Sequence, residues 1–437
     1  MSVTFDDIKK EIGSGDMGKK VLLAYSGGLD TSCIAVWLKE QGFEVICYLA
    51  DVGQREDFDA VRKKAKEIGV SKLVIADLKE EFVSEFIWMA IKSGALYEDR
   101  YMMGTSFARP CIGRKMIEVA MEEDAEYISH GATGKGNDQN RFELAAYALN
   151  PDVKVVAPWR MPEFFNRFQG RLDLMKYAGE KGIPVDSTPS EPYSIDDNIM
   201  HISMESGILE KPHEEPPLST YRYTTNPLEA PDKPTKLEIE FSQGIPIKVV
   251  NLAEPEKVYD KPLDLFMYLN EVGGKNAIGR VDIVENRFIG MKSRGVYETP
   301  AATILYHAHL DLELFCVDKE VYRIKSFLSA KFAEQVYNGF WYSPECEFVR
   351  HCIDKTQEVV EGKVRVMLYK GGCHILGRES PLSVYNESLV SMDVKGDYEP
   401  SDADGFIKIN ALRLREYCRI ARKCDKLQQV GLRPVKK

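Results

Sequence analysis

Within Ser26-Gly27-Gly28-Leu29-Asp30-Thr31-Ser32 the chain places two adjacent glycines, three hydroxyls and one carboxylate. Adjacent glycines let backbone N–H groups approach an oxyanion with no Cβ in the way, and the hydroxyls add donors. A helix starting at the same point would turn unpaired amides and the positive end of its dipole on that anion, so the stretch suits a pyrophosphate. Asp30 in such a ring reads either as an acceptor on the magnesium side or as a helix cap.

Three competing motifs lie in the same neighbourhood. Gly13-Ser14-Gly15-Asp16-Met17-Gly18-Lys19-Lys20 nearly spells the ATPase phosphate loop, but Lys20 stands where Ser or Thr must meet Mg²⁺, and the strand follows the motif instead of preceding it. A dinucleotide turn wants G-x-G-x-x-G, which adjacent glycines do not supply. Ala24-Tyr25-Ser26-Gly27-Gly28 is close to an esterase elbow without its first glycine, yet an elbow has no need of Asp30-Thr31-Ser32 on the next turn.

A second Gly-rich element runs from Gly131 to Arg141, after the strand-like Tyr127-Ile128-Ser129-His130. Its glycines supply bare amides, while Thr133, Asn137, Asp138 and Arg141 supply orienting groups of both signs. That mixture suits an amino acid, which presents a carboxylate and an ammonium together. A polar surface loop is the plainer alternative, and its coincidence with the first motif argues against it.

The elements that must position these loops alternate between two periods. Apolar strands are expected at 21–25, 45–50, 72–76, 126–129 and 153–157, with helical periodicity between them, which predicts a doubly wound parallel sheet from residue 19 to 182. Ligands of such sheets sit at the carboxyl ends of the strands, so Ala50, at the end of the second, should lie near adenine or ribose. Phe82, Phe86 and Met89, on a helix from about 78 to 93, read as core.

Beyond Pro184 the character changes to alternation, as in Leu237-Ile239-Phe241 and Val364-Val366-Leu368, which predicts half-buried antiparallel strands in a second, α+β domain over 183–405. Turns are expected at Gln243-Gly244 and Gly371-Gly372, a helix opening at Thr299-Pro300, and a helix end at Gly339. Lys211 to Lys236 reads as a long extended loop. Residues 1–18 read as an appended extension with at most a short amphipathic helix on Phe5, Ile8 and Ile12. The segment 406–437 reads as a C-terminal arm, its helix from Leu412 to Leu427 carrying Leu414, Tyr417, Ala421, Cys424 and Leu427 on one face among basic residues.

The 437 residues are 44% hydrophobic and 29% charged, ample for a large core in two or three domains. No apolar run reaches membrane-spanning length, and the first twenty residues lack the apolar stretch of a secretory signal. Nine cysteines without a CxxC pair argue for reduced thiols in the cytoplasm and against structural zinc. A net charge of −10 disfavours nucleic acid as a partner.

The residues closely resemble the argininosuccinate synthase family of N-type ATP pyrophosphatases. The resemblance rests on the Ser26–Ser32 loop, on Ala95-Leu96-Tyr97-Glu98-Asp99-Arg100-Tyr101, on Gly104-Thr105-Ser106-Phe107-Ala108-Arg109-Pro110, and on the stretch from Ser129 to Arg141. It continues through Ala157-Pro158-Trp159-Arg160-Met161-Pro162-Glu163 and Glu285-Asn286-Arg287-Phe288-Ile289-Gly290-Met291-Lys292-Ser293-Arg294-Gly295, and covers the chain essentially from Lys19 onward. It implies an AMP-forming ligation of citrulline to aspartate, with ATP as substrate and Mg²⁺ carried by ATP rather than by a protein metal site.

By matching motif, the resemblance implies ATP contacts at Ala24, Tyr25, Ser26, Gly27, Gly28, Leu29, Asp30, Thr31, Ser32, Ala50 and Gly131. It implies aspartate ligands at Thr133, Asn137 and Asp138, and citrulline ligands at Tyr101, Ser106, Asn137, Arg141, Ser194, Ser203, Glu285 and Tyr297. Asp138, Asn137 and Arg141 then stand closest to the chemistry. It also implies a homotetramer built through the C-terminal arm. Departures from the family pattern are the N-terminal extension, Asp51 where Asn is as frequent, and Asn140 in place of an apolar residue. A silent nucleotide sensor and an esterase remain as alternatives; only a ligase would release AMP and pyrophosphate in a citrulline-dependent way. A thiolase acting on tRNA is disfavoured by the absent CxxC and the acidic balance.

Overall fold

The computed structural model describes residues 18–184, 193–393 and 396–423; the expected extension helix, and Cys424 and Leu427 of the arm, lie outside them. The chain divides into two compact units, Met1–Ser383 and Val384–Lys437.

In the larger unit, β1 (Lys20–Ala24), α1 (Leu29–Glu40), β2 (Glu44–Asp51), α2 (Phe58–Glu67) and β3 (Lys72–Asp77) alternate as the apolar runs predict. After a long α3 (Gly104–Glu122) come β4 (Tyr127–His130), α4 (Asp138–Leu149) and β5 (Lys154–Val156). The five strands form one parallel sheet in the order β3-β2-β1-β4-β5. Val21, Leu22 and Leu23 are fully buried because helices cover both faces. Phe82, Phe86 and Met89 are core, as their spacing predicts. The helix carrying them is not a continuous α-helix: Phe82–Ile87 widens into a π turn before Trp88–Ser93 resumes.

Two antiparallel sheets follow. One runs β11-β12-β7-β6, from β6 (Ser194–Asp197), β7 (Ile202–Glu205), β11 (Arg280–Asn286) and β12 (Lys292–Glu298). The other runs β10-β9-β8-β13-β14, from β8 (Thr235–Ser242), β9 (Ile245–Asn251), β10 (Val258–Tyr259), β13 (Gly362–Tyr369) and β14 (Gly372–Glu379). The two alternating runs prove to be each other's partners: Ile239 faces Val364 and Leu237 faces Val366, all fully buried. The β8–β9 turn is Gln243-Gly244, both at positive φ. The second hairpin turns one residue earlier than expected, at Lys370-Gly371, because Gly372 already belongs to β14.

Helices α5 (Arg171–Lys181), α6 (Pro262–Lys275), α7 (Pro300–Cys316), α8 (Lys319–Asn338) and α9 (Pro344–Gln357) complete the larger unit. Thr299 precedes α7 and Pro300 opens it, but the threonine hydroxyl does not cap; it bonds Gly279 O and Thr303 instead. Gly339 ends α8 at φ 96°.

The smaller unit holds α10 (Asp402–Lys423), which starts ten residues ahead of the expected Leu412 because Asp402 and Asp404 occupy and favour its first turn. Phe406, Ile407, Ile409, Leu412, Leu414, Tyr417 and Ile420 are all exposed on it.

Candidate active site

β1 and β4 are direct neighbours, with Ala24 opposite His130, so the two Gly-rich loops leave the sheet side by side at its carboxyl edge. Glycine is required in both. Gly27 has φ +72° and a Cβ there would fall 2.8 Å from Val61 Cγ2, while one on Gly131 would fall 2.8 Å from Thr31 Cγ2.

In the first loop, Thr31 Oγ1 accepts from the Ser26 amide at 3.3 Å and lies 3.1 Å from Ser26 Oγ, which accepts from the Gly28 amide at 3.3 Å. Tyr25 and Ser32 hydroxyls meet at 3.1 Å in the buried layer beneath. Lys64 donates to Gly27 O at 2.9 Å and brings a cation to the loop. Of the two readings of Asp30, the cap is corrected: α1 begins at Leu29, the cap position falls on extended Gly28, and Asp30 lies inside the first turn. Burial raises its carboxyl above the ordinary range, and Arg171 opposes the rise. Ala50 is buried near the end of β2.

The second loop delivers Asn137 and Asp138 to the start of α4. Asn137 Oδ1 accepts from the Phe288 amide at 3.1 Å, which ties the loop to the β11–β12 turn. Asp138 is gripped from both sides. Arg109 donates to its Oδ2 through Nε at 3.0 Å and Nη2 at 2.7 Å, and Arg141 donates to its Oδ1 at 2.9 Å. Burial works to raise this carboxyl, but the Arg109 and Arg141 guanidiniums outweigh it and hold it at about 2.

Arg109 also binds Asp196 of β6. The Thr105 hydroxyl donates to Asp196 at 3.0 Å and lies 2.8 Å from His201 Nε2. Burial, then the Arg109 and Arg141 charges, push His201 down to about 3, so it is neutral at physiological pH. The adjacent Asp197 accepts from the Tyr223 hydroxyl and from the Arg55 amide at 3.3 Å, while the Arg55 guanidinium sits 4.3 Å from the Tyr223 ring centre.

Glu285, near the end of β11, forms the third part. Its Oε1 accepts from the Tyr297 and Tyr337 hydroxyls at 3.1 and 3.0 Å, and its Oε2 is buried without a partner. Burial pushes this carboxyl up to about 7, against the pull of the Tyr337 hydroxyl. Tyr101 stacks on Tyr297 at 4.1 Å between ring centres, and Arg141 Nε donates to Tyr337 O at 3.0 Å. Glu285, Tyr337, Arg141 and Asp138 are thus one connected chain of contacts.

Ser106 is buried with its hydroxyl unpartnered, and Ser203, opposite Tyr297 in the sheet, donates to Asp196 O at 3.4 Å. Ser194, paired with Glu205, and Thr133 are exposed; neither belongs to the buried cluster. Arg109, Asp196, His201 and Tyr337 had no role assigned from sequence. Arg109 lies within the Gly104–Pro110 block, but nothing in sequence pairs it with Asp196, which sits 87 residues away.

The fold and the site define an ATP-dependent ligase: an anion loop on a parallel nucleotide-binding sheet, set beside a cluster of charged side chains that suits amino acids. Residues 20–184 match the model described as the arginosuccinate synthase N-terminal HUP domain, and residues 193–417 that of the arginosuccinate synthase C-terminal domain. Argininosuccinate synthase of Rattus norvegicus is 65% identical over 403 residues, covering 92% of this chain and 98% of the relative. That of Homo sapiens is 64% identical with the same coverage, and that of Xenopus laevis 62% identical over 92% of this chain and 97% of the relative. The chain belongs to the argininosuccinate synthase family.

Proposed function

We propose that this chain joins L-citrulline to L-aspartate with cleavage of ATP to AMP and pyrophosphate, the citrulline passing through an adenylated intermediate. The observation that carries the reading is the direct pairing of β1 with β4, which sets the anion loop against the loop bearing Asp138. The domain division that goes with it is a nucleotide domain at 19–182, a synthetase domain at 183–405 and an arm at 406–437.

The triphosphate lies along residues 24–32 with Gly131 beside it, and Ala50 faces the nucleoside. Mg²⁺ bound to ATP would neutralise the phosphates, and Asp30, a half-buried carboxylate in the first turn of α1, is the loop's oxygen ligand that would meet it. A ureido carbon is a poor electrophile without a leaving group. Attack of the ureido oxygen on the α-phosphorus supplies one, as the bond to the β-phosphate breaks and pyrophosphate departs. The aspartate ammonium gives up one proton to solvent, its freed amine attacks the ureido carbon, the C–O bond to AMP breaks, and the second proton on that nitrogen leaves with the AMP phosphate or to solvent.

Glu285 Oε2 takes the citrulline ammonium, Arg141 its carboxylate, and Tyr101, Ser106, Asn137, Ser194, Ser203 and Tyr297 fix the uncharged remainder. Thr133, Asn137 and Asp138 hold aspartate. Asp138, held near 2, is a weak base, so its role is to orient the incoming ammonium and not to remove its proton. The amide-lined loop stabilises charge on the departing pyrophosphate, positioning supplies much of the remaining acceleration, and no residue becomes covalently attached. The protein works in the cytoplasm as a homotetramer, assembled through the exposed apolar face of α10.

Citrulline labelled with ¹⁸O in the ureido group tests the scheme. Label must appear in AMP, and AMP without label would refute the adenylated intermediate.

A further inference from the structure

β1 stops pairing with β2 at Ala24–Tyr48, and the Tyr25 amide makes the last bond across, to Tyr48 O at 2.8 Å. β2 runs on, with Ala50 and Asp51 still laddered to Ala76 and Asp77 of β3 on its other side. Alternate residues of a strand turn their backbone groups to the same side. The side that Tyr48 offers to β1 is therefore offered again by Ala50 and Val52, past the point where β1 has turned into the anion loop.

Val52 O takes the Ile199 amide at 2.9 Å, and two of the other edge groups, Ala50 O and Val52 N, are covered by one side chain. Gln54 folds back so that its Nε2 donates to Ala50 O at 2.7 Å and its Oε1 accepts from Val52 N at 2.9 Å. The Asp51 carboxylate braces the same turn, accepting from the Gly53 amide at 3.0 Å and from Lys79. A carboxamide offers one donor and one acceptor side by side. The edge of adenine does the same, its 6-amino group donating and its N1 accepting.

We propose that Gln54 is an intramolecular stand-in for adenine: its amide holds the base slot on β2, and ATP displaces it by making the same two bonds to Ala50 O and Val52 N. This rests on the reading that the phosphates lie at residues 26–32. Guanine and hypoxanthine present O6 and N1–H at the corresponding atoms, setting a carbonyl against Ala50 O and an N–H against Val52 N. The slot that accepts a glutamine amide therefore selects adenine as well, because each mismatched polar pair is left unbonded. Gln54 itself is only half-buried and can swing out without opening the core.

The test measures binding of ATP, ITP and inorganic triphosphate by calorimetry, without amino-acid substrates, to the full chain and to Gln54→Ala and Gln54→Asn. Removing the competitor should tighten ATP roughly three- to tenfold and leave triphosphate unchanged. Asn, one methylene shorter, cannot span both groups and should behave as Ala does. ATP should bind more tightly than ITP in all three proteins. Unchanged or weaker ATP binding by Gln54→Ala, an Asn variant that matches wild type, or equal binding of ATP and ITP would overturn the proposal while triphosphate still binds. If triphosphate does not bind the wild type, the phosphate loop itself is misread and both readings fall.

Discussion

With Oε2 buried and unpartnered and Oε1 shared by two tyrosine hydroxyls, Glu285 titrates near neutrality instead of at 4.5. Folding raises this carboxyl, so the contribution is full below 4.5 and is lost as pH rises through about 7. A citrulline ammonium against Oε2 favours the ionised form, and binding should strengthen over that same rise. KM for citrulline should fall from about pH 6 to about pH 8 in the wild type and stay flat in Glu285→Gln. The variant should also weaken citrulline by roughly 2–5 kcal/mol, with ATP and aspartate little affected; an unchanged citrulline KM would remove Glu285 from the site. Asp138→Ala should still release pyrophosphate when citrulline is added and yet form no product. Equal loss of both steps would show that Asp138 serves more than aspartate. Asp138 and Arg141 stand out in sequence because they share one short loop, and Glu285 is named only through the family resemblance; the structure joins all three through Tyr337. Arg109 and Tyr337 do not stand out, since their meaning lies in partners brought from 29 and 52 residues away.

The start of α3 shows how an element fixes the site. A Cβ on Gly104 would fall 2.4 Å from the His201 ring, which bonds Thr105 one residue further on. Gly104→Ala should force the imidazole away from Thr105 and loosen Asp196, destabilising the chain by about 1–3 kcal/mol, as thermal unfolding would measure. Unaltered stability would mean that the β6–β7 hairpin yields freely. Gly27→Ala acts at a left-handed position against Val61, and ATP KM should rise while citrulline KM holds. The parallel strands could be read because runs such as Val21-Leu22-Leu23 are buried on both faces. The alternation of β8 and β13 could also be read, but not that they pair, because about 120 residues separate them and alternation carries no address. The π turn at Phe82–Ile87 left no mark on the spacing of its core residues.

At the scale of the molecule, the smaller unit leaves Phe406 72% and Tyr417 62% exposed on α10, an apolar face of the kind that marks an interaction surface. On the proposed assembly through α10, a chain lacking Val384–Lys437 should sediment as a smaller species than the full chain assembles into; a truncated chain that assembles as the full chain does would place the contacts in the larger unit. The basic, amphipathic character of this arm was visible in its composition, whereas its true start was hidden by the acidic residues of its first turn. In the larger unit, neighbouring aspartates of β6 take different partners: Asp196 bonds Arg109, which also holds Asp138, and Asp197 accepts from the Arg55 amide just past Gln54. Two adjacent residues of one strand thus tie the helix that carries Arg109 and the turn that carries Arg55 to the same short piece of backbone.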